Sequence, residues 1–140
     1  MDLSYLVTPI LTWLVVGPIK FVINSARQRR WAFNLVGNGG FPSNHSAVVS
    51  SMATLIALRE GIDHPAFGVA VTLAFIVMID ANSLRQHVGR QAGAINRIAG
   101  DAAGHTHLRE RMGHTLVEIG GGICTGIAMG FAVFHLFQSF

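Results

Sequence analysis

The chain predicts an all-α fold, a polytopic bundle of membrane-spanning helices, on three observations. Hydrophobic residues fill 51% of its 140 positions and charged residues only 12%, about half the charged fraction of a soluble globular domain. Mean hydropathy is +0.48. The apolar residues are gathered into four runs separated by polar stretches. A soluble bundle would need far more charge to coat its surface, and this length suits a single domain covering 1–140.

The first apolar run covers residues 5–23, the second 46–58, the third 65–79 and the fourth 114–137. A helix needs about 20 residues to cross the hydrocarbon layer, with a range of about 17–25. The first and fourth runs meet that length directly. The second and third meet it only if their polar ends count, so they are expected to carry polar groups into the membrane edge. Between them "REGIDHP" (59–65) reads as a tight turn, with Gly61 stopping one helix and Pro65 starting the next. Residues 24–43 form a basic, glycine-rich connection. Residues 82–113 form a second one, in which Val88, Ala92 and Ile95 recur at helical spacing and predict a short amphipathic helix at the interface. The single cysteine, Cys124, excludes an intrachain disulfide.

Alternating spans put both polar connections on one side of the membrane. Lys20, Arg27, Arg29, Arg30, Arg85, Arg90, Arg97, Arg109 and Arg111 then share that side, and only Arg59 lies opposite. The positive-inside rule makes it the cytoplasmic side. The same side receives Pro42, Ser43, Asn44 and His45 from the second run, Asp80 from the third, and His114 and Glu118 from the fourth. So many ionisable groups at one end of a bundle point to a site.

Each piece has a chemical reading. In "GGFPSNHSA" (39–47), glycines permit close approach of the backbone and Pro42 suits a helix entry. Free N–H groups at the start of that helix would face an anion, with Ser43 adding a hydroxyl and His45 a proton donor; the plainer reading is a Ser/Asn helix cap. His114 and Glu118 are four apart and so lie on one helix face, where the carboxylate can hold one ring nitrogen and leave the other free to attack. A carboxylate one turn into a span is costly without a purpose. Gly122, Gly126 and Gly130 extend the same four-residue spacing, a ridge suited to close packing of an internal helix or a homodimer. Lys20 and the arginines suit phosphate, although Arg90, Arg97 and Arg109 read better as attraction to anionic lipid headgroups. "HTH" (105–107) lacks a carboxylate set, so no metal and no cofactor are expected. Nothing in the pattern points to nucleic acid. His64, His87 and His135 read as incidental.

Taken together, "GGFPSNHSA", "MIDANSLRQHVGRQAGAIN" and "ERMGHTLVEIGGGICTG" resemble the type-2 phosphatidic acid phosphatase superfamily, which includes the vanadium haloperoxidases, and most closely its small divergent bacterial membrane branch. The resemblance runs from Lys20 to about Gly126. Lys20 and Arg27 match the first motif in spacing, with Gln28 in the proline position and Arg29 or Arg30 as alternative partners. Pro42, Ser43 and His45 match the second motif, with Asn44 in place of glycine. His114 matches the nucleophile of the third motif and Glu118 replaces its aspartate. The arginine position of that motif falls on Leu108, so Arg85, or else Arg109 or Arg111, is expected to supply the charge, with Asp80 in support.

The resemblance implies an inner-membrane lipid phosphatase that works through a phosphohistidine on His114, with His45 protonating the leaving group. Lys20, Arg27, Arg30, Ser43, Asn44 and Arg85 would hold the phosphate. Phosphatidylglycerophosphate, phosphatidic acid and polyprenyl phosphates or diphosphates are all candidate substrates. The competing reading is a membrane protein that binds anionic lipid or phosphate without turnover.

Overall fold

A computed structural model describes residues 3–29, 40–100 and 106–138. These contain five α-helices: α1 Ser4–Gln28, α2 Asn44–Glu60, α3 Pro65–Ile79, α4 Arg85–Ala99 and α5 Leu116–Gln138. A π-helical turn, Asp80–Leu84, joins α3 to α4, so Pro65–Ala99 runs as one uninterrupted helix of 35 residues. The amphipathic segment is therefore a continuation of α3, not a separate helix. Its buried face is Gly89, Ala92, Gly93 and Asn96, whereas Val88 and Ile95 point outward.

Local chemistry sets the helix ends. Ser43 caps α2, its hydroxyl accepting the Ser46 N–H at 3.4 Å, and Gly61 ends the helix at φ +90°. Pro65 occupies the first turn of α3, and His64 caps that helix by accepting the Ala66 N–H on Nδ1 at 3.2 Å. That gives His64 a structural task the sequence did not suggest. Thr115 and Glu118 form a reciprocal capping box at the start of α5: the Glu118 N–H donates to Thr115 Oγ1 (3.3 Å) and the Thr115 N–H to Glu118 Oε2 (2.9 Å). His114 therefore lies just before the helix and not within it.

Three helices are long and apolar enough to cross a membrane: Ser4–Ala26, Pro65–Ala99 and Leu116–Gln138. The second predicted span, α2, has 17 residues and carries Ser46, Ser50, Ser51 and Thr54. It falls short on length and composition because of where it sits. It packs against α1, α3 and α5, and only His45 and Glu60, at its two ends, are exposed. Its hydroxyls face protein: Thr12 Oγ1 donates to Ser51 Oγ (2.9 Å) and Ser51 Oγ to the Val48 carbonyl (2.8 Å). At the end away from the site, the Tyr5 hydroxyl donates to Glu60, and the Arg59 guanidinium lies 5.8 Å from the Tyr5 ring centre.

The glycine ridge of α5 is where α2 docks. A Cβ on Gly122 would meet the Ser43 carbonyl at 2.5 Å, one on Gly126 the Ala47 carbonyl at 2.4 Å, and one on Gly130 the Thr54 Cβ at 2.6 Å. Contact partners advance along both helices together, so α2 and α5 are parallel and both begin at the same end of the bundle. The ridge is filled from within the chain, as an internal helix contact.

Replacing Gly126 by Ala should destabilise the bundle by about 1–3 kcal/mol through overpacking. Gly120→Ala, where a Cβ meets nothing within 4 Å, should leave stability unchanged or slightly raised. Thermal midpoints of the two variants in detergent, against the unmodified protein, check the contrast.

Candidate active site

Two backbone hydrogen bonds and one from a side chain draw the helix ends together. The Ser43 N–H donates to the Glu118 carbonyl at 2.9 Å, fixing the first turn of α2 to that of α5. The His114 N–H donates to the Ala81 carbonyl at 2.8 Å, a contact offered by the π turn, where the Arg85 N–H reaches back to the Asp80 carbonyl. The His114 carbonyl in turn accepts from Gln86 Nε2 at 3.3 Å. This seat demands Gly113: its φ is +89°, and a Cβ there would meet Gln86 Cγ at 2.8 Å.

The two imidazoles face one site, with ring centres 6.2 Å apart and planes inclined by 59°. His114 is buried, at 6% exposure, and its Nδ1 lies 3.3 Å from Glu118 Oε2. An ionised carboxylate can only accept, so the proton sits on Nδ1 and Nε2 carries a free lone pair. Arg85 bridges to the other ring: Nη2 lies 3.3 Å from His45 Nε2 while Nε donates to Asp80 Oδ2 at 3.1 Å. Arginine has no acceptor, so His45 Nε2 accepts and that ring is neutral in this arrangement. Lys20, half-buried near the end of α1, feels the charges of Glu118 and Arg109. Gly40 lies against it, its Cβ position 3.4 Å from Lys20 Cε and 3.0 Å from Asn24 Nδ2.

The remaining expected residues are distributed differently. Ser43 is fully buried, with its amide bonded to Glu118 and its hydroxyl taken by the Ser46 N–H and Ser46 Oγ (3.1 Å). Among the described residues, the N–H groups of Asn44 and His45 have no protein acceptor, and Asn44 Oδ1 is buried without a partner. Arg30 lies outside the described residues, as does the Arg27 side chain. Arg111 lines a separate groove on α4. Arg109 Nε donates to the Arg111 carbonyl at 3.1 Å. Leu108, at the arginine position of the third motif, is pinned to α4 by Asn96, whose side chain bonds both its N–H (2.9 Å) and its carbonyl (2.8 Å). Gln86, Asn96 and the Ala81 carbonyl escaped sequence reasoning; only Gly113, adjoining His114, carried a visible signal. No group of three His, Cys, Asp or Glu side chains able to hold a metal ion occurs among the described residues.

A helical membrane protein with a carboxylate-backed histidine, a second histidine and converging cationic side chains is thus the class that fold and site define. The chain belongs to the divergent PAP2 family, whose model matches residues 1–129. It is similar to the uncharacterized membrane protein YuiD of Bacillus subtilis (strain 168), with 31% identity over 97% of this chain and 94% of that protein. No solved structure matches it.

Burial is the main cause that lowers the proton affinity of His114 below the ordinary histidine range. Lys20 and Arg85 add to it, and Glu118 opposes it. His45 is lowered too, first by loss of solvent and then by Arg85, His114 and Lys20, against Asp80. A folded-state value below the unfolded one means that the folded protein holds fewer protons around and below pH 6.5. Thermal stability should therefore be flat above about pH 7 and fall as pH drops through about 6.5. The fall should be shallower in His114→Gln, as a series of melts across pH would record.

Proposed function

We propose that the protein is a membrane lipid phosphatase that hydrolyses a phosphomonoester or diphosphate headgroup through a phosphohistidine. The observation that carries this reading is the pair of imidazoles 6.2 Å apart, one backed by Glu118 and the other bridged by Arg85. A phosphorus atom between them would meet the free Nε2 of His114 on one side and His45 on the leaving-group side. The family assignment supports the same reading.

The phosphate oxygens are held by Lys20, Arg85 and the open N–H groups of Asn44 and His45, with Arg27 and Arg30 as further candidates from the basic connection. Ser43 contributes by shaping that first turn. His114 Nε2 attacks phosphorus in line, and the ester P–O bond of a monoester, or the anhydride P–O bond to the terminal phosphorus of a diphosphate, breaks. The departing oxygen takes a proton from His45, which gains that proton when a dianionic phosphate draws Arg85 away and adds negative charge nearby. Water, deprotonated by His45, then attacks the phosphohistidine and releases phosphate and His114. Lys20, Arg85 and the N-terminal ends of α2 and α5 stabilise the charge that develops on the equatorial oxygens.

Phosphatidylglycerophosphate, phosphatidic acid and polyprenyl phosphates or diphosphates all fit this chemistry. The excess of Lys and Arg at the site end supports a cytoplasmic placement. Binding without turnover is favoured by one observation, the prior engagement of the Ser43 amide and hydroxyl.

Release of phosphate from these lipids in detergent micelles separates the two readings. His114→Ala should reduce turnover to background, and His45→Asn should lower kcat by about 10²–10⁴, with a phosphorylated histidine trapped in the unmodified protein. Turnover undiminished in His114→Ala would reject the nucleophile. Lipid binding with no phosphate release by the unmodified protein would establish the second reading.

A further inference from the structure

Away from the two histidines, α4 and the segment 106–112 enclose an open groove of about 530 Å³. It starts at Gln86, which also bonds the His114 carbonyl, and extends to Arg97, about 16 Å further along the helix. Arg90 and Arg97 come from one face of α4 and Arg111 from the opposing segment.

The groove is held in place before any ligand arrives. Asn96 clamps Leu108 at both backbone groups and donates to Glu110 Oε1 at 2.9 Å. Gly89 and Gly93 let the segment settle on α4: a Cβ on Gly89 would meet the Glu110 carbonyl at 2.2 Å, and one on Gly93 the Glu110 carboxylate at 3.2 Å. Among the described residues, no carboxylate lies within ion-pair distance of Arg90, Arg97 or Arg111. Among the described lining residues, three guanidinium groups stand against one carboxylate.

Its direction is set by α4. Leu84 (58% exposed), Val88, Ile95 and Ile98 (87% exposed) form an apolar stripe about half a turn round the helix from Gln86, Arg90 and Arg97. α4 also continues the helix past Arg85, carrying Arg90 and Arg97 about 8 Å and about 18 Å further along it. Arg90, Arg97 and Arg111, from two chain segments, line the groove with the single carboxylate of Glu110, an excess of planar donors suited to phosphate oxygens.

We infer that this groove is a second phosphate-binding site, distinct from the histidine pair, which takes a phosphate group presented from the aqueous side. The group it takes is free inorganic phosphate.

Calorimetric titration of the full chain in uncharged detergent at low salt, with inorganic phosphate as probe, tests this directly. The unmodified protein should bind two equivalents. The variant R90Q/R97Q should lose one of them, with affinity at that site weakened at least tenfold, while retaining native helicity. R85Q should keep the groove equivalent, so failure of the catalytic reading would leave this site measurable. An R90Q/R97Q isotherm that superimposes on the unmodified one overturns the inference. So does an R90Q/R97Q variant that loses binding to phosphatidylglycerol vesicles but not to phosphate.

Discussion

The hydrogen bond from the Ser43 amide to the Glu118 carbonyl, at 2.9 Å, is the constraint on which the geometry of this molecule turns. It joins the first turns of two parallel helices that carry His45 and Glu118. Parallel neighbours place two positive helix ends side by side, an arrangement that repels itself. Here it is tolerated because the helices approach through a ridge of glycines, so close packing extends from Gly122 to Gly130. Removing side chains from α5 thus lets two N-termini stand together, with Lys20 and Arg85 beside them. Glu118 and Asp80 offset part of that positive charge, and the remainder favours an anion.

A second consequence concerns α2. A helix with buried serines and a threonine is poorly suited to lipid, yet every flank of this one meets protein. α1 and α5 answer its hydroxyls and backbone at close range, and none of the exposed large apolar side chains belongs to α2. The polar residues that open α2 are therefore shielded by neighbours whose outer faces are as greasy as a membrane protein requires. Four helices suffice to enclose a polar site because the innermost one needs no lipid-facing surface of its own.

Much of this was legible in the chain, for reasons of range. Spacing within one helix is local information: four residues between His114 and Glu118 bring them together whether the helix begins at His114 or, as found, two residues later. Gly61 and Pro65 mark a turn through their own backbone chemistry. What could not be read depends on partners distant in sequence. Arg85 is the favoured of three candidates for a missing charge, but its approach to His45 follows a π turn that leaves no clear local pattern. The glycine ridge announced close packing without naming the helix that packs. Ser43 looked available because nothing in its neighbourhood reveals a bond to residue 118, and Arg111 looked close to His114 in sequence although its side chain lines another surface.

The continuous helix from Pro65 to Ala99 also acts as a depth gauge. Fifteen residues of α3 and five of the π turn rise about 30 Å, about the thickness of the hydrocarbon layer. Arg85 is the next residue, so a span standing upright from Pro65 would bring it to the level where phospholipid phosphates lie. Under the proposed function, a lipid would meet His45 and His114 without being lifted from its leaflet. Selection would then act on the headgroup alone, leaving the acyl or prenyl chains free to vary.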